Sequence, residues 1–125
     1  MIEEPSYIAM PRLLAGIHAG TAEPFDAVLV DGMHLFDFTL VDLFFAALLL
    51  RRGGALLLDD IRHEGVRPAY DYIQRNYGNL RLVEDTGCAE TLATFVKVGD
   101  DTRSWDFHVP FTGGGEGGGV PRRRY

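Results

Sequence analysis

Basic charge is scarce in this sequence. Its 125 residues carry 12 lysines and arginines against 18 aspartates and glutamates, a net charge of −6. A chain of that sign is not built to lie on nucleic acid or on an anionic membrane, and neither is expected as a partner. There is one cysteine, Cys88. That excludes an internal disulfide and a cysteine-based zinc site, and it fits a reducing, cytoplasmic setting. There is no signal-like start, because Met1-Ile2-Glu3-Glu4 is acidic where a secretion signal is basic. There is no apolar run of membrane length either. The most apolar stretch, Leu35–Leu50, is interrupted by Asp37 and Asp42 and falls short of the ~20 residues that span a bilayer. No internal repeat is present. What remains, 46% hydrophobic and 24% charged, is the composition of one globular domain with chain enough for a core.

The chain is organised around Phe25–Ile61. Ala27–Val30 is a short apolar run that reads as a strand buried on both faces, and it stops at Asp31-Gly32, a turn signal. Leu35–Leu50 is long enough for a helix, with Asp37 or Thr39 as its N-cap. Arg51-Arg52-Gly53-Gly54 reads as its end: cations at the negative pole, then glycine. Ala55–Leu58 is a second apolar strand, ending at Asp59-Asp60. Strand, helix and strand within about 30 residues make a βαβ unit with parallel strands. Parallel strands end on one edge, so Asp31, Asp59 and Asp60 should meet at the carboxyl rim, with His34 three residues beyond Asp31. That rim is where open α/β sheets bind ligands.

The flanks are simpler. Residues 1–6 read as an entering loop and Tyr7–His18 as a helix, capped by Ser6 and with Pro11 near its first turn. Val66–Tyr77 is a helix with an apolar stripe of Val66, Ala69, Tyr70, Ile73 and Tyr77. Leu80–Glu84 and Thr91–Val98 read as strands, and the link Asp85–Glu90 permits an antiparallel hairpin. Beyond Gly99 the pattern fades. Residues 1–100 read as the folded unit and 101–125 as a tail. Trp105, Phe107 and Phe111 either pack back as a lid or hang loosely. The glycine tract 113–119 should be disordered, and Arg122–Arg124 reads as solvated charge.

Val-Asp-Gly-Met-His at 30–34, followed by Leu-Leu-Arg-Arg-Gly-Gly-Ala-Leu-Leu-Leu-Asp-Asp-Ile at 49–61, resembles the second half of a class I S-adenosylmethionine-dependent methyltransferase. The nearest group is the bacterial O-methyltransferases whose fourth strand ends in Asp-Gly-x-His and fifth in Asp-Asp. The resemblance runs from about Ile2 to Val98. It implies a partial Rossmann-like α/β sheet, with parallel strands followed by an antiparallel terminal pair. It also implies that the chain starts just after the family's third strand, without its glycine-rich cofactor loop. On that carry-over, His34 is a general base for a hydroxyl proton, and Asp31 anchors the substrate hydroxyl. Asp31, Asp59 and Asp60 match the positions that hold magnesium in relatives resembling catechol O-methyltransferase, an oxygen-only set suited to that ion. Magnesium there would bind two substrate oxygens and acidify a hydroxyl. Glu3, Glu4 and Ser6 would lie near the adenosine of S-adenosylmethionine.

Plainer readings stand beside these. Asp31 can simply end a strand, Asp59 or Asp60 can cap the next helix, and His34 can hydrogen-bond its turn. Adjacent carboxylates beside Asp31 repel unless a cation or hydrogen bonds compensate. Met33 stands where many relatives carry a polar residue, so the metal requirement stays open. His63 is a weaker base candidate, and His18 and His108 read as surface or packing residues. The expected activity is O-methyl transfer to a small-molecule acceptor. The expected assembly is a homo-oligomer or a complex with a chain that completes the sheet. The alternatives are a non-catalytic α/β remnant or interaction module, and a small metal- or phosphate-binding module.

Overall fold

The computed structural model describes residues 2–83 and 91–111. The hairpin link 85–90 with Cys88, the glycine tract and the three terminal arginines lie outside them. The elements, in order, are α1 (Ser6–His18), β1 (Phe25–Val30), α2 (Phe36–Leu49), β2 (Leu50–Leu58), α3 (Arg67–Asn76), β3 (Leu80–Leu82) and β4 (Ala93–Lys97). They build one open α/β sheet in the order β1-β2-β4-β3. β1 and β2 are parallel, as the βαβ spacing predicts. β4 runs antiparallel to both β2 and β3. Among the described residues no helix is long and apolar enough to cross a membrane.

The core lies on one face of this sheet. Val28 pairs with Leu56 and Val30 with Leu58 across β1 and β2, and Leu56 and Leu58 pair with Phe95 and Ala93 of β4. Period-2 alternation puts all of these on the same side. α2 covers them with Leu43, Ala46 and Ala47, and α3 with Ala69 and Ile73. Leu43, Leu56, Ala69, Ile73 and Phe95 are fully buried. α1 packs on α2 rather than on the sheet and buries only Ala9. The opposite face carries Ala27, Leu29, Ala55, Leu57, Thr94 and Val96, none of which belongs to the buried core. β1 is also an edge strand, and Leu29, next to its carboxyl end, is 59% exposed.

Several local expectations are corrected. α2 starts one residue after Leu35, so Asp37 and Thr39 lie inside its first turn and neither caps it. The Asp37 carboxylate accepts the Phe38 N–H, and the buried Thr39 hydroxyl donates to the Met33 carbonyl. Ser6 likewise opens α1 instead of capping it, and Pro11 falls inside that helix. Arg51–Gly54 do not end α2. The chain is already extended at Leu50, and these four residues bulge out of β2 opposite the single residue Asp26. Gly53 takes a positive φ of 79° there, and a Cβ on Gly54 would lie 2.9 Å from the Arg51 carbonyl oxygen, so both positions require glycine. The cation at the carboxyl end of α2 is Lys97 of β4, whose Nζ donates to the Ala47 and Leu50 carbonyls at 2.9 and 2.8 Å. Long-range packing supplied the cap that adjacent residues were expected to give.

The tail over its described length is strapped down. The Asn76 side chain donates to the Val109 carbonyl and accepts the Val109 N–H, at 2.9 and 2.8 Å. The Arg103 guanidinium pairs with Asp101 and lies 4.0 Å over the Tyr77 ring, and Phe111 packs edge-on against Tyr72. Trp105 stands out into solvent at 97% exposure. The strap runs past the carboxyl end of α3, so it is no lid on the rim.

Candidate functional site

The ends of β1 and β2 deliver the expected residues to one edge. The register sets Val30 beside Leu58, so Asp31 and Asp59 leave adjacent strands at the same level. The Asp59 N–H donates back to the Val30 carbonyl at 3.1 Å and ties the two strand ends together. Asp60 then adopts the left-handed conformation, φ 54°, which aspartate tolerates better than most residues. Its N–H donates to the Asp59 carboxylate at 2.7 Å. The Asp60 carboxylate lies 3.1 Å from His34 Nε2.

Four expected residues therefore divide into two roles. Asp31, His34 and Asp60 present ligand atoms within 4.8 Å of one another. Asp59 lies outside that cluster, and one of its oxygens holds the turn. A cation at this rim would meet two carboxylates and one imidazole. Magnesium favours oxygen ligands throughout, so the gathered set does not fit it as three carboxylates would. The His34–Asp60 pair is half-exposed, with side-chain exposures of 36% and 43%. Water therefore screens it, and its value is orientational more than energetic.

Two further groups shape His34. The His63 ring lies against it, centroids 4.8 Å apart, and His63 Nδ1 accepts the Gly65 N–H at 3.2 Å. A Cβ on Gly65 would stand 2.2 Å from the His34 carbonyl oxygen, so glycine is what lets the two loops approach. Nothing in the sequence pattern singled Gly65 out, because the close approach joins residues 31 positions apart, His34 and Gly65.

A groove of about 370 Å³ opens beside the cluster, between the start of α1, the end of β1 and the start of α2. Ser6, Tyr7, Met10, Leu29, Asp31 and Asp42 are among its walls. Ser6 is the one member of the expected cofactor set that reaches it. Glu4 pairs with Arg12, and Glu3 is exposed. Asp42 was missed as a site residue. The signal was present, a carboxylate in the middle of a helix that is apolar from Leu40 onward apart from it. His18 and His108 are exposed and stand outside the site. No family model and no curated protein matches this chain.

Proposed function

We propose that this chain is the acceptor-side, catalytic half of a class I S-adenosylmethionine-dependent O-methyltransferase, acting on a small hydroxylated molecule. The observation that carries the reading is the oriented base, His34 Nε2 at 3.1 Å from Asp60 at the carboxyl rim of a parallel pair. The reversed β4 supports it, since the resembled family ends its sheet with such a strand.

The cofactor, when bound, supplies an electrophilic methyl group on sulfur. Ser6 and the groove wall of Tyr7 and Met10 fit one side of such a molecule. With the His34 proton on Nε2, Asp60 at 3.1 Å would hold that tautomer and leave the Nδ1 lone pair for the acceptor. Nδ1 would take the acceptor's hydroxyl proton as the O–H bond breaks, while the oxygen gains the methyl group and the S–CH3 bond breaks to leave a neutral thioether. Asp31, exposed beside His34, accepts a hydrogen bond from the acceptor and sets its approach. No step is assigned to a metal.

The test is methyl transfer from labelled S-adenosylmethionine to a panel of phenols and hydroxy acids. His34→Gln should lower the rate about 10²- to 10⁴-fold, and Asp60→Asn should lower it less. No transfer at saturating cofactor would leave the non-catalytic reading standing, for which the open edge of β1 is the supporting observation. Calorimetry should show weak cofactor binding, which the transfer assay offsets with excess cofactor. A micromolar dissociation constant, about −8 kcal/mol, would contradict that. For metal, the observed cluster predicts that His34→Gln abolishes any cation-induced rise in melting temperature while Asp59→Asn preserves it. The opposite result would restore the three-carboxylate set.

A further inference from the structure

A second cavity lies at the other end of the molecule. Its volume is about 240 Å³, and Phe44, Leu48, Asn79, Lys97 and Asp100 are among its walls. Lys97 pairs with Leu80 at the start of β3, whereas the rim lies where Leu58 pairs with Ala93. The two sites therefore occupy opposite ends of the strands, and this one is independent of the proposed methyl transfer.

Its chemistry is unusually complete for a surface hollow. Asn79 is 8% exposed, yet its side-chain oxygen has no hydrogen-bond partner among the described residues. Buried amide oxygens are rarely left so, and each exception calls for an explanation. Lys97 gives two of its three N–H donors to the Ala47 and Leu50 carbonyls, which leaves one over. Asp100 is exposed and shares the cavity wall with Lys97; burial lowers the Lys97 pKa, and the Asp100 charge opposes that shift. Phe44 and Leu48 stay 45% and 39% exposed on the apolar side. The hollow thus offers the Asp100 carboxylate, one spare cationic donor and an apolar wall, with the buried Asn79 oxygen behind it. It is smaller than the roughly 300–1,000 Å³ that suits drug-sized ligands.

We propose that this cavity binds a free apolar α-amino acid. The ammonium group goes to Asp100 and, after a small turn of its carboxamide, to the Asn79 oxygen. The carboxylate takes the spare proton of Lys97, and the side chain lies on Phe44 and Leu48. A plain amine leaves the Lys97 donor unused, and a plain acid leaves both acceptors unused, so the zwitterion matches the site better than either.

Amide-resolved NMR titration of the full chain with L-phenylalanine tests this. At about 10 mM ligand, a level that populates even millimolar binding, signals of Leu48, Asn79, Lys97 and Asp100 should shift while those of Asp31 and His34 stay put. Asp100→Asn, at an exposed position that does not endanger folding, should weaken binding about tenfold, as should Lys97→Met where it folds. Phenethylamine and 3-phenylpropionate should bind more weakly than phenylalanine by a similar factor. Absence of shifts around Asn79, indifference to Asp100→Asn, or equal binding of phenethylamine would each overturn the proposal.

Discussion

The two faces of the sheet are made of similar residues and live in different surroundings. Val30, Leu56, Leu58 and Phe95 point to one side and are buried under α2 and α3. Leu29, Leu57 and Val96, one residue along the same strands, point to the other and lie outside the core. Strand composition alone does not distinguish them. β1 and β2 read as apolar on both sides, the pattern of parallel strands covered twice, yet within the described residues only one cover exists. Apolarity on both faces therefore records what a strand is suited to, and coverage depends on which helices the chain brings.

That contrast can be broken from either side. Phe95→Ala on the covered face should cost about 3–5 kcal/mol, because a fully buried ring leaves a cavity that α2 and α3 cannot fill. Denaturant unfolding measures it. A loss as small as that of Leu57→Ala, for which about 1 kcal/mol is expected, would mean the two faces are equally covered in solution. Gly65→Ala comes next. Its Cβ cannot coexist with the His34 carbonyl, so about 1–3 kcal/mol should be lost and the His34 ring signals should move. An unchanged spectrum would show that the rim tolerates separation of its loops.

Leu29→Lys sharpens the comparison without destabilising the fold. The side chain is mostly exposed, so stability should change by no more than about 0.5 kcal/mol. Its effect should fall on association. The free edge of β1 has no lysine, proline or charged side chain at its centre to discourage strand pairing. Wild-type chain should self-associate or take up a completing strand in light scattering, and the lysine variant should stay monomeric. A wild-type monomer with cooperative unfolding sinks this, and the strap is no rescue because it lies on Tyr72, Asn76 and Tyr77. The smallest effect concerns that strap. The Arg103 guanidinium holds the Asp101 carboxyl below its ordinary range. The contact should therefore be intact above about pH 4 and released as the pH falls through the lowered value. The Val109 amide signal, bonded to Asn76, should shift only in that acid range. A shift near neutrality would assign the strap to another group.

Much of this was legible because it is local. The runs Ala27–Val30 and Ala55–Leu58, the helices between and after them, and the meeting of Asp31 with the Asp59-Asp60 pair all follow from hydrophobic period and the parallel rule. The reversed β4 followed from the short link before it. What was not legible depends on contacts between distant segments. Whether Asp59 or Asp60 faces His34 is decided by a single left-handed residue and a turn bond. Arg51 and Arg52 looked like a helix end because they follow an apolar helix, and the bulge that claims them is visible only once Asp26 lies opposite. The strap rests on Asn76 meeting Val109, thirty-three residues away, which no periodicity announces.

The Lys97 contact bears on how the chain acquires its shape over time. Its Nζ closes the end of α2 across a separation of 50 residues, from the last strand of the sheet. Until β4 has inserted between β2 and β3, the Ala47 and Leu50 carbonyls lack that donor, and the last turn of α2 should fray. Contacts of such long span carry a loop-closure cost before they repay it, and they slow folding. A ribosome would thus release α2 and β2 well before the residue that finishes their junction. Lys97→Met should accordingly act mainly on the rate of unfolding, since an interaction formed last is absent from the transition state.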